Sequence, residues 1–380
     1  MNLTEPKFDE EEIHQLGECL ASHWVTQGPR TAEFERLVGA RHQVRSALAT
    51  TSCTAALHLS TLALELGLGD EVIVPALTWV TSAHCAEYVG ARAVFADIDQ
   101  DTYNLDPDAL QAAITPRTRA IVAVHLFGLA ANMDPIMGIA RKHGLAVIED
   151  AACAIGTSYK SRPVGGIGDI SCFSFHPRKV VTTGEGGMVT TNRDDLARRV
   201  QSLRNHGSTG LPPADVEPHG PWTMATFDML GFNLRLSDIQ AAVGVAQMAK
   251  LDHLLAERRA AAWRYSELLA DVEEIVLPTS VDCDGHTFQS YVIRISNGDR
   301  AIRNKMMAHL AAHNIQTRPG THAVHLLGYY RDKYSLRADD FPVAARSQDS
   351  TITLPLFPGV TDTDQQLVAK LIKEALTRRI

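Results

Sequence analysis

Long apolar runs and a leader-like start are missing from this sequence of 380 residues. The longest apolar stretch, residues 120–131, contains His125 and is shorter than the roughly 18 residues that a membrane span needs. The first twenty residues are acidic and amphipathic, without the basic start and apolar stretch of a signal peptide. We therefore expect a cytoplasmic protein that has no membrane partner.

An excess of positive charge is also missing. The 44 Asp and Glu residues outnumber the 36 Lys and Arg residues, which gives a net charge of −8. Without a basic stripe, nucleic acid is not an expected partner. A phosphorylated small molecule is still compatible with this charge, because a few N–H groups can bind phosphate inside an acidic protein.

Paired cysteines are the third absence. The six cysteines include no C-x-x-C pair, and they are Cys19, Cys53, Cys85, Cys153, Cys172 and Cys283. In a cytoplasmic chain such scattered cysteines are typical of small buried residues. We expect neither a disulfide framework nor a metal site.

Strand and helix patterns alternate through the middle of the chain. Apolar residues at helical spacing predict helices over 55–66, 82–89, 106–114 and 135–143. Short apolar runs predict strands over 71–79, 93–97, 120–126 and 145–149. Strands without polar alternation, such as 121–124, are typical of a sheet buried on both faces. The alternation therefore predicts an α/β fold with a mostly parallel central sheet covered by helices.

The pattern changes after residue 156. We predict strands over 170–175 and 187–191, a helix over 194–203, and a long loop over 207–224. A long helix over 237–269 leads into a smaller C-terminal α+β domain with a strand at 290–295 and a helix at 301–313. The predicted division is a large domain over 1–245, with its N-terminal segment, and a small domain over 246–380. A length of 380 residues agrees with roughly two domains.

Three segments at the ends of predicted parallel strands carry reactive side chains, and ligands of open α/β sheets bind at such ends. Residues 51–54 (Thr-Ser-Cys-Thr) precede a helix and form either a plain N-cap or an anion site. Glu149 and Asp150 end a strand, where an acid either caps the next segment or holds a cationic ligand nitrogen. Residues 174–179 (Ser-Phe-His-Pro-Arg-Lys) end in Lys179, the only lysine between Lys160 and Lys250.

Lys179 by itself is either a solvated surface residue or an amine nucleophile toward carbonyls. Together the three segments describe the needs of one cofactor, pyridoxal phosphate. This cofactor requires a lysine for its aldehyde, a carboxylate for its pyridinium nitrogen and a cradle for its phosphate. Trp79, at the end of a predicted strand, supplies an aromatic ring for the face of the cofactor.

The chain resembles the DegT/StrS-type nucleotide-sugar aminotransferases over nearly its whole length. The motifs that carry this resemblance are residues 26–29 (Thr-Gln-Gly-Pro) with Phe34-Glu35, 75–79 (Pro-Ala-Leu-Thr-Trp), 149–152 (Glu-Asp-Ala-Ala), 174–179, 182–187 (Thr-Thr-Gly-Glu-Gly-Gly), 204–207 (Arg-Asn-His-Gly), 231–238 (Gly-Phe-Asn-Leu-Arg-Leu-Ser-Asp) and 354–358 (Leu-Pro-Leu-Phe-Pro). The resemblance implies the aspartate-aminotransferase fold, fold type I, with a large domain that binds pyridoxal phosphate and a smaller C-terminal domain.

The family also implies roles for individual residues. Lys179 would form the Schiff base with the cofactor, Asp150 would pair with its ring nitrogen, and Trp79 would stack on the ring. The phosphate would be held by Cys53, Thr54 and Ser174 and, from the neighbouring subunit, by Asn233. The implied enzyme is thus a homodimer with shared active sites. Cys153 departs from the family pattern, which usually has Gln or His there, so a contact to the cofactor's 3′ oxygen stays open.

Substrate contacts are implied more loosely. His176 is either a satisfied loop residue or a catalytic group facing the substrate, and Thr26, His322 and His325 match regions that the family uses near the sugar. Arg318 either binds a carboxylate or diphosphate or faces solvent. The implied substrates are a sugar nucleotide and glutamate, with 2-oxoglutarate released.

The residues around the lysine indicate which carbon receives the amino group. The run Phe-His-Pro-x-Lys followed by Thr-Thr-Gly-Glu-Gly-Gly, present at 175–179 and 182–187, resembles family members that act at C4. The expected product is a 4-amino-4,6-dideoxyhexose nucleotide, made from a 4-keto-6-deoxyhexose for a surface polysaccharide such as the lipopolysaccharide O-antigen. The sequence does not indicate which nucleoside diphosphate, GDP, UDP or dTDP, carries the sugar.

Three other functions remain open. The chain could act at C3 of a 3-keto sugar nucleotide, act on a cyclitol ketone, or be a non-catalytic sensor that binds sugar nucleotides. A sugar 3-dehydratase is a further relative, but in those enzymes a histidine replaces the lysine, and Lys179 argues against this activity.

Overall fold

The computed structural model describes residues 1–212, 219–279 and 285–377. Cys283 and the middle of the predicted long loop, residues 213–218, lie outside the described residues. No helix in the described ranges is both long enough and apolar enough to cross a membrane.

The described residues form helices that alternate with short strands through the first half of the chain. The α-helices are α1 Glu10–Ala21, α2 Pro29–His42, α3 Cys53–Ala63, α4 Thr81–Tyr88, α5 Pro107–Ala113, α6 Met133–His143, α7 Asp194–Leu203, α8 Asp238–Ala249, α9 Leu251–Leu269, α10 Arg300–Ala312, α11 Gly328–Tyr334, α12 Pro342–Ser350 and α13 Asp362–Thr377. Short 3₁₀ turns occur at Leu126–Gly128, Val324–Leu326 and Ala338–Asp340.

The strands form one large sheet and several small ones. They are β1 Ser46–Thr50, β2 Glu71–Pro75, β3 Leu77–Thr78, β4 Arg92–Ala96, β5 Thr118–Val124, β6 Ala146–Asp150, β7 Ser158–Tyr159, β8 Arg162–Pro163, β9 Ile170–Ser174, β10 Gly187–Thr191, β11 Ser208–Gly210, β12 Thr226–Phe227, β13 Ile275–Val276, β14 Tyr291–Ile295, β15 His322–Ala323 and β16 Thr351–Leu354.

The central sheet has seven strands in the order β1-β10-β9-β6-β5-β2-β4. Parallel pairs join β9, β6, β5, β2 and β4, whereas β10 runs antiparallel to both of its neighbours. Every residue of β2, β9 and β10 is buried, because helices cover both faces of the sheet. The prediction of a mostly parallel sheet covered by helices is confirmed.

A second hydrophobic core lies in the C-terminal part of the chain. The antiparallel sheet β13-β14-β16 packs against α9, α10 and α13, and residues such as Tyr265, Ile293 and Leu371 are buried there. The N-terminus joins this part, since the Met1 amino group donates to the Asn314 carbonyl at 2.6 Å.

The predicted division at 245/246 falls inside α8. Leu254 and Leu255, early in α9, pack in a cluster with Phe34, whereas Tyr265, later in the same helix, packs in the C-terminal core. Because one helix contributes to both cores, we propose that the two domains meet along α9.

Three local predictions were wrong. The single helix over 237–269 is two helices, because Lys250 leaves the helical region at φ −105° and ψ 10° and pairs with Asp9 and Glu12 of the N-terminal segment. The strand over 71–79 ends at Pro75, and Leu77–Thr78 pairs instead with β15. Part of the predicted loop over 207–224 forms β11, which pairs with β12.

Candidate active site

The carboxyl ends of the parallel strands line a cavity of about 370 Å³. Side chains from separate elements converge there, as expected at the carboxyl edge of an open α/β sheet. The lining includes the residues Cys53, Thr54, Trp79, Asp150, Cys153, Ser174, His176, Arg178, Lys179, Glu185, Gln289, Arg318 and Thr321. Seven predicted cofactor or catalytic residues, all except Asn233, thus lie around one cavity.

Asp150 ends β6 and is only 4% exposed. One carboxylate oxygen accepts a hydrogen bond from the Ser82 hydroxyl at 2.6 Å, and the other accepts from the Ala152 N–H at 3.1 Å. The Thr78 hydroxyl lies 2.9 Å from the Ser82 hydroxyl, so two hydroxyls stand in line behind the carboxylate. The sequence offered no signal for Ser82, which the fold alone brings to Asp150.

Glu149, the neighbouring acid, does not line this cavity. It is fully buried and accepts from His125 at 3.0 Å and from the N–H groups of Gly165, Ile167 and Gly168. Burial opposes ionisation, but these hydrogen bonds, with His125 foremost, hold the pKa of Glu149 below its ordinary value. Of the two acids, Glu149 is bound within the protein and Asp150 faces the cavity.

Lys179 lies in the connection between β9 and β10, residues 175–186. The Lys179 N–H donates to the His176 carbonyl at 2.8 Å, and the Thr183 N–H donates to the Phe175 carbonyl at 3.0 Å. These bonds fix the loop, so the side chain of Lys179 enters the cavity with its amine donating to the Cys153 sulfur at 3.1 Å.

The N-terminus of α3 supplies an anion cradle. Ser52 caps the helix by accepting from the Ala55 N–H, and the N–H groups of Cys53 and Thr54 begin the helix, where no intrahelical acceptor exists. Gly187 of β10 packs directly on this turn, since a Cβ there would lie 2.4 Å from the backbone of Ser52. Burial raises the pKa of the Cys53 thiol well above its ordinary value, so this thiol adds no charge that would repel an anion.

Two arginines and a histidine lie at the side of the cavity nearest the C-terminal part. Burial lowers the pKa of His176, which keeps its ring neutral near neutral pH. Arg318 is partly buried, and Gln289 donates to the Arg178 carbonyl at 2.8 Å. Gln289 was missed because it follows no motif and reaches the site from the segment before β14.

Four predicted residues lie outside the lining. His322 is exposed, with its ring 5.5 Å from that of Trp79 at the rim. Thr26 and Asn233 are exposed, and the backbone of Asn233 pairs with Asn205. His325 is fully buried against Phe341, so as a contact to the sugar it is not accessible from this cavity.

These residues fit pyridoxal phosphate. An amine, a carboxylate, an exposed indole and a helix N-terminus are the groups that bind its aldehyde, ring nitrogen, ring face and phosphate. The fold and the site together define the class of pyridoxal-phosphate-dependent aminotransferases of fold type I.

Known proteins agree with this class. Residues 6–373 match the sequence profile of the DegT/DnrJ/EryC1/StrS aminotransferase family. GDP-perosamine synthase from Caulobacter vibrioides is 38% identical, over 99% of this chain and 98% of its own length. The spore coat polysaccharide biosynthesis protein SpsC from Bacillus subtilis is 37% identical, over 97% of this chain and 95% of its own length.

Solved structures agree as well. The putative sugar aminotransferase Spr1654 from Streptococcus pneumoniae, in its PMP form, superposes with a TM-score of 0.93 at 29% identity, covering 99% of this chain and 98% of its own. The chain therefore belongs to the DegT/DnrJ/EryC1/StrS aminotransferase family, and it is a sugar aminotransferase that uses pyridoxal phosphate.

Proposed function

We propose that this enzyme moves an amino group from glutamate to C4 of a nucleotide-linked 4-keto-6-deoxyhexose in the cytoplasm. The observation that carries the proposal is Lys179, which lies in one cavity with Asp150 and within the C4-type motif 175–179. The relative GDP-perosamine synthase is named for a GDP-linked sugar product, which supports a GDP-linked sugar as the substrate here. The product would be a 4-amino-4,6-dideoxy sugar nucleotide for a surface glycan.

Each polar group of the cavity has a role in this proposal. Pyridoxal phosphate, when bound, supplies an aldehyde that carries the amino group and a ring that accepts electrons. Lys179 would hold the cofactor through its aldehyde and would take up or return the proton of the reacting substrate carbon, because its amine is the base that enters the cavity. Asp150, fixed by Ser82 and Ala152, pairs with the ring nitrogen.

The carboxylates of glutamate and the diphosphate of the sugar nucleotide require positively charged side chains for binding. Arg178 and Arg318 line the cavity on the side of the C-terminal part, where they are placed to bind the carboxylates of glutamate or the diphosphate of the sugar nucleotide. His176 stays uncharged near neutral pH, because burial lowers its pKa. It therefore contributes hydrogen bonding to the sugar in place of charge.

Product analysis tests which sugar carbon receives the amino group and which nucleotide carries the sugar. Purified enzyme is given glutamate and 4-keto-6-deoxyhexoses linked to GDP, UDP or dTDP, and the products are examined by mass spectrometry and NMR. We expect a 4-amino product and 2-oxoglutarate. A 3-amino product from a 3-keto sugar, with no turnover of any 4-keto sugar, would instead establish the C3 alternative.

The lysine is tested by substitution. Lys179→Ala should keep the fold but lose the absorbance of covalently bound cofactor and all transamination. Lys160→Ala is the matched control, since Lys160 is exposed and contacts Asp134 and Tyr159 outside the cavity. Borohydride labelling of a different lysine in Lys179→Ala would remove Lys179 from this role.

We also propose that the enzyme is a homodimer in which Asn233 reaches the phosphate of the partner's cofactor. Asn233 is exposed and lies outside its own cavity, and the nearby large apolar side chains of Trp222, Phe227 and Leu230 are also exposed. Contact with a second copy would bury these side chains.

Mixing two inactive variants tests the shared site. Lys179→Ala and Asn233→Ala are exchanged at a one-to-one ratio, so half of the dimers are hybrid. If Asn233 acts across the interface, each hybrid has one intact site, and the mixture regains about a quarter of wild-type activity. If both residues serve the same chain's site, no activity returns.

A further inference from the structure

The cavity contains a pair of nucleophiles that the proposed transamination does not use together. The Lys179 amine lies 3.1 Å from the Cys153 sulfur. The family resemblance implies Gln or His at the position of Cys153, so the pair departs from the implied motif. A thiol beside the reactive amine brings redox chemistry within reach of Lys179.

Cys153 differs from the other described cysteines in its exposure. Cys19, Cys53, Cys85 and Cys172 are buried, and Cys153 alone among the described cysteines is partly exposed. Burial raises the pKa of the Cys85 thiol to about 12 and raises that of Cys172 as well, so these thiols stay protonated and inert. A small oxidant that enters the cavity therefore meets Cys153 first.

Two basic side chains lie beside the Cys153 sulfur. Arg318 and Lys179 both line the cavity beside Cys153, and Arg318 interacts with it electrostatically. Arg318 therefore supplies positive charge beside the Cys153 sulfur, and the Lys179 amine is in hydrogen-bond contact with it.

We propose that the Cys153–Lys179 pair is an oxidative modification site at which a hydroperoxide joins the two side chains through an S–N bond. In the first step the Cys153 thiol is oxidised by two electrons to a sulfenic acid, and hydrogen peroxide is reduced to water. In the second step the neutral Lys179 amine attacks the sulfur, the S–O bond breaks, and the oxygen leaves as water. Together the two side chains lose two hydrogen atoms.

Proximity favours the second step. Held groups react with effective molarities of about 10⁵ M or more, and the amine already lies in hydrogen-bond contact with the sulfur. Two equivalents of a small thiol reverse the bond, the first forming a mixed disulfide and releasing the amine, the second restoring the Cys153 thiol. The bond would remove Lys179 from transamination until a thiol restores it.

This proposal goes beyond transamination, and its chemistry depends only on a free Lys179 amine. It therefore applies to protein without cofactor and to the pyridoxamine form, in which the lysine is released. Protein whose lysine has been fixed to the cofactor by borohydride lacks the free amine and should be protected.

Peptide mapping tests the bond directly. Enzyme freed of cofactor is treated with hydrogen peroxide at pH 8, blocked with N-ethylmaleimide and digested with trypsin without reductant. We expect residues 143–160 joined to residues 179–193, with a mass two hydrogen atoms below the sum of the two peptides. Dithiothreitol should separate the peptides and restore cofactor binding to the same extent.

Matched variants distinguish a specific bond between Cys153 and Lys179 from general oxidation of cysteines. Cys153→Ser should lose the cross-link, Lys179→Arg should lose it while Cys153 is still oxidised, and Cys53→Ser should retain it. Before oxidation, N-ethylmaleimide should label Cys153 at least ~10-fold faster than buried Cys172. Oxidation of Cys153 to sulfinic acid without any cross-link in the cofactor-free protein, or a cross-link that survives Cys153→Ser, would overturn the proposal. Transamination is measured on untreated enzyme, so the two proposals fail independently.

Discussion

Asp238 joins the beginnings of two helices that are far apart in the chain. It is the first residue of α8, and its carboxylate accepts from the N–H groups of Gly28, Arg30 and Thr31 at 2.8–3.0 Å, where α2 begins. The Thr31 hydroxyl adds a fourth bond at 2.6 Å, and Asp238 is 1% exposed. One buried charge therefore satisfies amide donors that α2 cannot satisfy itself.

Asp238→Ala should lower the free energy of unfolding by about 3 kcal/mol, because it leaves several buried donors unpaired. Asp238→Asn should cost less, since one oxygen acceptor remains. Urea unfolding followed by circular dichroism measures both, with Asp332→Ala, an exposed acid, as the control that should leave the midpoint unchanged. Equal midpoints for Asp238→Ala and Asp332→Ala would contradict this account.

At the scale of residues, the sequence predicted side chains that line the cavity and missed the side chains that support them. Lys179, Asp150 and Trp79 could be found because their chemistry and their place at strand ends single them out. Ser82 and Gln289 could not, because a hydroxyl or amide that supports another residue has no spacing of its own. His325 was expected near the sugar because it matches a region that the family uses there, and its burial against Phe341 depends on packing that such a match does not encode.

At the scale of elements, strand β10 and helix α3 meet without a side chain between them. Gly187 begins β10, and a Cβ there would approach the Ser52 carbonyl to 2.4 Å and the Cys53 nitrogen to 2.6 Å. The anion cradle at the beginning of α3 thus takes its position from a strand more than 130 residues later in the chain.

Gly187→Ala should displace the first turn of α3 and weaken the binding of pyridoxal phosphate at least ~10-fold, as even small misplacement of a binding group is costly. Gly138→Ala is the matched control, because a Cβ at Gly138 meets nothing within 4 Å. This change in α6 should leave cofactor affinity unchanged and stabilise the fold slightly. Cofactor titration by absorbance measures both, and equal affinities would show that the contact does not position the cradle.

Elements with a strong local pattern were predicted, and those decided by distant contacts were not. The helix Asp194–Leu203 and the strand Gly187–Thr191 match their predicted bounds, since each carries its own periodicity. The break at Lys250 was missed because two acids of the N-terminal segment hold that side chain. Leu77–Thr78 was read as part of β2 because its pairing with β15 joins residues far apart in the chain.

At the scale of the whole molecule, stability should fall in mild acid. His42 and His286 are buried, and burial lowers the pKa of His42 to about 4 and that of His286 to about 3, from 6.5. Below pH 6.5 the unfolded chain binds protons at both histidines while the folded chain does not, so stability decreases as the pH falls. Each histidine contributes up to about 1.4 kcal/mol per pH unit, until His42 titrates near pH 4.

Urea unfolding between pH 7 and 4.5 measures this slope. Replacing one buried histidine, as in His286→Gln, should reduce the slope, whereas replacing exposed His143 should leave it as it is. A slope that is the same in wild type and His286→Gln would show that the buried ring does not carry the effect.

The position of β10 between β1 and β9 also has a consequence for how the protein is made. In the central sheet β1 pairs with β10, and Gly187 follows Thr50 by 137 positions. On a ribosome that adds roughly 5–20 residues per second, the first strand waits about 7–27 s for its neighbour to be synthesised. During this interval Leu48 and Ala49 have no sheet to enter, and the nascent chain is open to chaperones and to aggregation. The same late step completes the cradle at α3, so the cofactor would bind only after β10 has left the ribosome.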